Sequence, residues 1–264
     1  MSGKSKKPDW VVEKERTKRD GPGTYWLFGI HAVRDALENP ARLKHRLLAT
    51  KNAADRLSDA IAKSGIDPEL QDPRHFRPPI EQGSVHQGAV LEVDPLDWGN
   101  LSELCAPRED DPIVLMLDRV TDPHNIGAIL RSAEVFGARA VVAPQRHSAP
   151  ETGALAKTAS GALERQPYLR IQNLARGITA LKDMGYYTVA LDGAATTELD
   201  DVIDINGQGP LALVAGAEGP GLRQLTKNTV HELAKISFAG SFGSLNVSNA
   251  AAIALYAAHK GRKH

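Results

Sequence analysis

Leu211-Ala-Leu-Val-Ala-Gly-Ala-Glu-Gly-Pro-Gly-Leu222 sets five consecutive apolar residues directly against a glycine-rich turn. An unbroken apolar run is expected of a strand covered on both faces of a parallel sheet. Ile113-Val-Leu-Met-Leu117 has the same character and leads into Asp118-Arg-Val-Thr-Asp-Pro-His-Asn-Ile-Gly-Ala-Ile-Leu-Arg-Ser-Ala133. A third segment, Ser244-Leu-Asn-Val-Ser-Asn-Ala-Ala251, follows the strand-like run Leu233–Phe238 and opens an alanine-rich amphipathic stretch ending near Lys260. Open α/β sheets bind ligands outside the carboxyl ends of their strands. Three strand-end turns carrying polar side chains beside small residues therefore mark one candidate pocket.

Working outward, strands and helices alternate from residue 113 onward: strands at 138–143, 168–171, 187–191 and 210–215, helices at 126–136, 152–159, 174–184 and 247–259. A smaller α/β unit precedes them. Gly29 to Leu37 has helical spacing with Ile30, Val33, Ala36 and Leu37 on one face. Arg46–Thr50 and His86–Val93 read as strands, and Ala53–Lys63 as a helix closed by Ser64-Gly65. The expected organisation is a charged disordered tail over 1–23, a small domain over 24–96, a linker or linker helix over 97–111, and a larger domain over 112–264. The 32 basic and 32 acidic side chains of the 264-residue chain cancel, so global charge announces no nucleic-acid partner. The basic ends are solvated tails or an electrostatic arm for RNA whose attraction would weaken with salt. A single cysteine, Cys105, excludes an internal disulfide framework and fits a reducing cytosol. No apolar run approaches membrane-spanning length, so a soluble, cytoplasmic protein is expected.

Each turn admits a structural and a functional reading. Asn125 is a good N-cap for the helix after it. Arg131 lies off the apolar face formed by Ile126, Ile129, Leu130 and Ala133, so it faces solvent or a cleft. It can pair with Glu134 three residues on, or grip a phosphate as a fork. Gly127 and Ala128 on the same side leave room for a substrate. The turn Gly216-Ala-Glu-Gly-Pro-Gly221 has the glycine spacing G-x-x-G-x-G, and Glu218 would face a pyrophosphate with like charge, which argues against a nicotinamide cofactor. Ser244, Asn246 or Ser248 could cap the last helix, but capping does not need all three together with Asn249.

In order, these turns resemble the three motifs of the SpoU branch of the SPOUT methyltransferases. Asn125-x5-Arg131-Ser-Ala133 falls on the first motif. Gly216-x-Glu218-Gly219-x-Gly221-Leu222 falls on the second, and Ser244-Leu-Asn-Val-Ser248 on the third. Lys157-Thr-Ala-Ser-Gly-Ala162 matches a further segment of the family. Residues from Tyr25 to Val33 and from His86 to Val90 are similar to the family's L30e-like RNA-binding domain. The resemblance implies a SPOUT fold with a parallel sheet and a deep trefoil knot, a rare exception to unknotted topology, behind a small L30e-like α/β domain. It implies S-adenosylmethionine bound against backbone at Gly216, Ile236 and Leu245. It also implies a homodimer paired through the first motif and the last helix, with no metal. Two positions depart from the family pattern: Ser237 stands where proline usually follows Ile236, and Ala257 follows Tyr256 where the family often has a glutamate.

The activity implied is methyl transfer to a ribose 2′-hydroxyl, with a guanosine of 23S ribosomal RNA as the favoured substrate and transfer RNA as its rival. Arg131 would hold the phosphate beside the target ribose, and Asn125 would hold Arg131 or the ribose. Glu218 would orient the turn, while Ser244 and Asn246 would fix the substrate. His86-Gln-Gly88 and the helix from Gly29 would select the RNA by loop shape. A non-catalytic RNA-binding or ribosome-assembly factor on the same scaffold is the alternative of another class.

Overall fold

The computed structural model describes residues 23–108, 111–237 and 245–262. The expected tail (but for Gly23) and Ser244 lie outside the described residues. The chain divides into two compact units, the first ending at Leu96 and the second beginning at Asp97.

The first unit runs β1 (Tyr25–Phe28), α1 (Ile30–Glu38), β2 (Lys44–Ala49), α2 (Lys51–Arg56), α3 (Ser58–Ser64), β3 (Pro68–Leu70) and β4 (Ala89–Val93). Its sheet has the order β1-β4-β2-β3, with β3 parallel to β2 and the other pairs antiparallel. Helix α1 buries Ile30, Val33, Ala36 and Leu37, the face its spacing marks. The expected single helix over 53–63 is two, because Leu57 leaves helical geometry at ψ 7°. The strand expected from His86 starts at Ala89, since Gln87 (φ 55°) and Gly88 (φ 81°) are left-handed. That turn is tied inward. Gln87 Oε1 accepts the Ile30 amide at 3.0 Å, satisfying a donor at the start of α1. A Cβ on Gly88 would stand 2.5 Å from Thr50 Oγ1. The His86 ring packs on Phe76 at 4.9 Å.

The second unit contains α4 (Leu101–Leu104), β5 (Ile113–Asp118), α5 (Pro123–Val135), β6 (Ala140–Pro144), α6 (Gly153–Ala159) and β7 (Tyr168–Ile171). It continues with α7 (Leu174–Asp183), β8 (Tyr187–Leu191), β9 (Thr197–Glu198), α8 (Leu199–Asn206), β10 (Leu211–Gly216), α9 (Gln224–Thr229), β11 (Glu232–Lys235) and α10 (Val247–Lys260). Seven strands form one sheet in the order β7-β6-β5-β10-β8-β11-β9, every pair parallel. Strands β5 and β10 sit centrally and are almost wholly buried, which explains their lack of polar alternation. Their pairing runs from Ile113 opposite Leu211 to Asp118 opposite Gly216, so both strands deliver their following turns at one level. Residues 97–105 pack on this unit: Leu101 and Cys105 are buried in its core with Tyr186, whose hydroxyl donates to the Cys105 carbonyl at 2.6 Å. Burial raises the Cys105 thiol pKa to about 11. No helix among the described residues is long and apolar enough to cross a membrane.

Candidate active site

Helix α5 begins three residues earlier than the sequence suggests. Asp122, not Asn125, is its N-cap: the Asp122 carboxylate accepts the His124 amide at 2.9 Å, and Pro123 occupies the first helical position. The cap role expected of Asn125 is thereby overturned, and its side chain is left to reach another loop. Asn125 Nδ2 donates to Glu218 Oε1 at 3.3 Å, and Asn125 Oδ1 accepts from Asn246 Nδ2 at 3.0 Å. Asn246 Nδ2 also donates to Glu218 Oε1, which in addition accepts the Val247 amide at 3.3 Å. Asn246 is the N-cap of α10, its Oδ1 accepting the Ser248 amide at 2.9 Å. One carboxylate thus gathers both carboxamides and a helix N-terminus, where the dipole favours negative charge.

The turn carrying Glu218 is held by backbone. Gly219 (φ 77°) and Gly221 (φ 64°) take left-handed conformations, and the Gly221 amide returns to the Ala217 carbonyl at 2.9 Å. A Cβ on Gly216 would lie 2.6 Å from the Gly221 carbonyl carbon and 2.7 Å from the Leu222 amide nitrogen, so the close approach requires glycine there. Beneath the turn Asp118, fully buried at the end of β5, accepts from Arg223 Nε at 2.7 Å, the Arg223 amide at 3.0 Å and Thr226 Oγ1 at 2.7 Å. Sequence reading gave Asp118 and Arg223 no role. The signal available was a carboxylate closing an apolar strand, which must find partners when buried.

These turns enclose a cavity of about 450 Å³, lined by Gly216, Ile236 and Leu245 together with Leu191, Leu222 and Val247. Its charged lining residues are Glu218, Asp192 and Lys227, the last two also unassigned in the sequence. Lys227 donates to Asp192 at 2.5 Å, which, with the Ala194 amide, holds the Asp192 carboxyl below the usual carboxylate range.

Arg131 lies on α5 and is exposed. Its expected structural partner is taken: Glu134 pairs with Arg165. Gly127 does not leave room for a substrate as expected. It is buried, and a Cβ there would stand 2.7 Å from Thr158 Cβ and 2.9 Å from the Ala159 amide, so it lets α5 and α6 meet. Ser237, where the resemblance leads one to expect proline, donates to Glu198, which also pairs with Lys235 at 3.2 Å. Tyr256 is half exposed and meets Phe136 edge-on at 5.8 Å. Among the described residues no group of three or more His, Cys, Asp or Glu could hold a metal ion.

The geometry can be set beside known proteins. Residues 112–256 match the family model described as SpoU rRNA Methylase family, and residues 26–98 match that for RNA 2′-O ribose methyltransferase substrate binding. The chain is 39% identical over 243 residues to a 23S rRNA (guanosine-2′-O-)-methyltransferase of Vibrio cholerae, covering 89% of this chain and 96% of that one. A protein of the same name from a Burkholderia species is 47% identical over 254 residues, covering 89% and 96%. Among solved structures, the SpoU methyltransferase AviRb of Streptomyces viridochromogenes in complex with AdoMet superposes at a TM-score of 0.76 with 24% identity, over 93% of this chain and 92% of that one. With both units matched and the strand-end turns converging as described, the chain belongs to the SpoU rRNA methylase family.

Proposed function

We propose that this protein is an S-adenosylmethionine-dependent RNA methyltransferase that modifies a guanosine ribose 2′-hydroxyl of 23S ribosomal RNA. The names of its relatives support the substrate. The observation that carries the site is the convergence of Asn125 and Asn246, far apart in the chain, on Glu218, which lines the cavity. That cavity fits the cofactor. Its volume lies in the range of small-molecule sites, its walls are mainly apolar, and Gly216 lets a flat group approach backbone.

S-adenosylmethionine supplies a methyl group already activated by its sulfonium, so the protein's task is alignment and proton removal. Gly216, Ile236 and Leu245 would hold the cofactor against backbone. Arg131 grips the phosphate next to the target ribose as a guanidinium fork, so that this phosphate or a water takes the hydroxyl proton. Glu218, accepting from Asn125 and Asn246, ties the three segments together beside the substrate, with Asn125 holding Arg131 or the ribose. Ser244 joins them in fixing the substrate. Positioning of this kind lowers barriers by about 7–11 kcal/mol in favourable cases.

The first unit, over 24–96, is an L30e-like RNA-binding domain, supported by the substrate-binding match. Residues 112–264 form the catalytic domain, with the chain after β10 and β11 threaded as a deep trefoil knot. The protein is a homodimer paired through α5 and α10, where Val135, Ile253 and Tyr256 are exposed. It works in the cytoplasm, where its RNA is. The test is transfer of labelled methyl to ribosomal RNA, with 2′-O-methylation mapped in cells with and without the protein. Loss of one 23S guanosine mark is expected; loss of a transfer-RNA mark, or of none, refutes the substrate. Arg131→Ala should abolish turnover and keep cofactor affinity; unimpaired methylation by that variant refutes its role.

A further inference from the structure

Two charged side chains in the cavity wall take no part in the network around Glu218. Asp192 follows β8 and Lys227 belongs to α9, with Nζ and Oδ2 at 2.5 Å. Asp192 is fixed from two sides: its Oδ1 accepts the Ala194 amide at 3.0 Å, and its own amide donates to the Ala234 carbonyl at 2.9 Å. Both side chains keep partial access, 14% for Asp192 and 30% for Lys227. Around them the wall is apolar, formed by Leu191, Leu222, Ile236 and Val247. Lys227 is the one cation among the described lining residues, and the remaining anion, Glu218, already accepts three donors.

An ion pair set in an apolar wall gives up hydration that its mutual attraction only partly restores. A ligand bringing one ammonium and one carboxylate can exchange partners with such a pair, leaving every charge matched and the net charge of the pocket unchanged. A nucleoside has neither group, whereas a free α-amino acid has both. We propose that Asp192 and Lys227 form the subsite for the amino-acid end of S-adenosylmethionine, Lys227 taking the α-carboxylate and Asp192 the α-ammonium. The inference rests on the cavity being the cofactor site. It divides that site into a neutral part around Gly216, Ile236 and Leu245 for the nucleoside, and a charged part for the tail. The competing role for Asp192, accepting from the cofactor ribose diol, gives a different outcome below.

Calorimetry on the full-length protein with three ligands separates these roles: S-adenosylhomocysteine, 5′-methylthioadenosine, which lacks the amino-acid end, and decarboxylated S-adenosylmethionine, which lacks only the carboxylate. Asp192→Asn and Lys227→Met should each weaken S-adenosylhomocysteine binding about tenfold or more, as expected for hydrogen bonds to charged groups. Methylthioadenosine affinity should stay within about twofold of wild type in both variants, and Lys227→Met should leave the decarboxylated ligand unaffected. A parallel loss for methylthioadenosine would assign Asp192 to the ribose or to scaffold and overturn the proposal, as would unchanged homocysteine-ligand binding. Should a variant not fold, the wild type decides: equal affinity for S-adenosylhomocysteine and methylthioadenosine refutes the subsite, and a preference for the former that shrinks with added salt supports it. A wild type that binds none of the three ligands refutes the cofactor assignment of the cavity itself.

Discussion

Gly216 and Asp118 stand opposite each other at the ends of β10 and β5, and each fixes the Glu218 turn by a different force. At Gly216 the force is repulsion. With backbone 2.6 Å from any added Cβ, the turn must move outward if the residue is Ala. Gly216→Ala should cost about 1–3 kcal/mol of stability, the range for overpacking, and lower S-adenosylhomocysteine affinity more than tenfold in a titration. Binding at wild-type strength would mean that the cavity does not depend on this approach. At Asp118 the force is attraction between a desolvated carboxylate and three donors. Asp118→Asn places an amide against N–H or O–H donors, while Arg223, still partly exposed, recovers water. The expected cost is therefore about 1.5–3 kcal/mol rather than the larger penalty for stranding a buried charge. Urea unfolding checks it, and a midpoint unchanged from wild type would show that the clamp adds nothing. Asn125 teaches the complementary lesson. Its residue type suits a cap, and only the Asp122-Pro123 start of α5 shows that its side chain is free for Glu218. A cap is local chemistry and readable in sequence, whereas the start of α5 three residues before the expected one, at Asp122-Pro123, was not read there.

Strand β8 and the residue just before β11 share a contact whose strength depends on pH. His231 Nδ1 accepts the Thr188 amide at 3.0 Å, and Thr188 Oγ1 accepts the His231 amide at 2.9 Å. Burial, with Lys182 nearby, holds the His231 pKa below its ordinary value of 6.5. Protonation removes the Nδ1 acceptor, so the folded state prefers neutral imidazole. This stability is present above 6.5 and is lost as pH falls through the lower folded value. An NMR titration should find the His231 midpoint below that of a free histidine; a midpoint at or above it contradicts the contact. For the proposed homodimer, the exposed apolar residues on α5 and α10 predict that Tyr256→Asp lowers the sedimentation mass from dimer to monomer at micromolar concentration. An unchanged mass would remove these helices from the interface. Elements with strong period were legible: β5, β7 and β8 begin and end within a residue of their expected bounds. Helix α8 was not, although Leu199, Val202 and Ile203 bury one face, because Asp200, Asp201 and Asp204 give the stretch a loop-like composition. Helix α9 has six residues and buries Thr226 rather than an aliphatic side chain, so no period announces it. The charged pair Asp192 and Lys227 was hidden for the same reason, since its two members meet only when α9 forms beside β8.

At the scale of the whole chain, the polar composition and Pro107 of residues 97–111 suggest a linker, yet their first half behaves as part of the second unit's core. Trp98, Leu101, Leu104 and Cys105 pack with Ile178, Leu181 and Tyr186 beneath α7. Amphipathic character in a four-residue helix is too brief to register as periodicity, and the flanking Asp97, Gly99 and Asn100 dominate the composition. Two truncations separate a tether from a core segment. A fragment of residues 97–264 should fold cooperatively and bind S-adenosylhomocysteine with the affinity of the full chain, because every described lining residue of the cavity lies within it. A fragment of residues 112–264 exposes the apolar surface that Leu101 and Cys105 cover and strands the Tyr186 hydroxyl without its acceptor. Its stability should fall by about 3–5 kcal/mol, comparable to emptying a large core position, with a matching drop in thermal midpoint. The Cys105 thiol reports the same packing chemically. With its pKa raised to about 11 it should resist alkylation at neutral pH in both the full chain and the longer fragment until denaturant is added. Equal stability of the two fragments, or prompt labelling of Cys105 under native conditions, would return residues 97–105 to the role of a tether. It would also leave β5 as the true beginning of the catalytic unit.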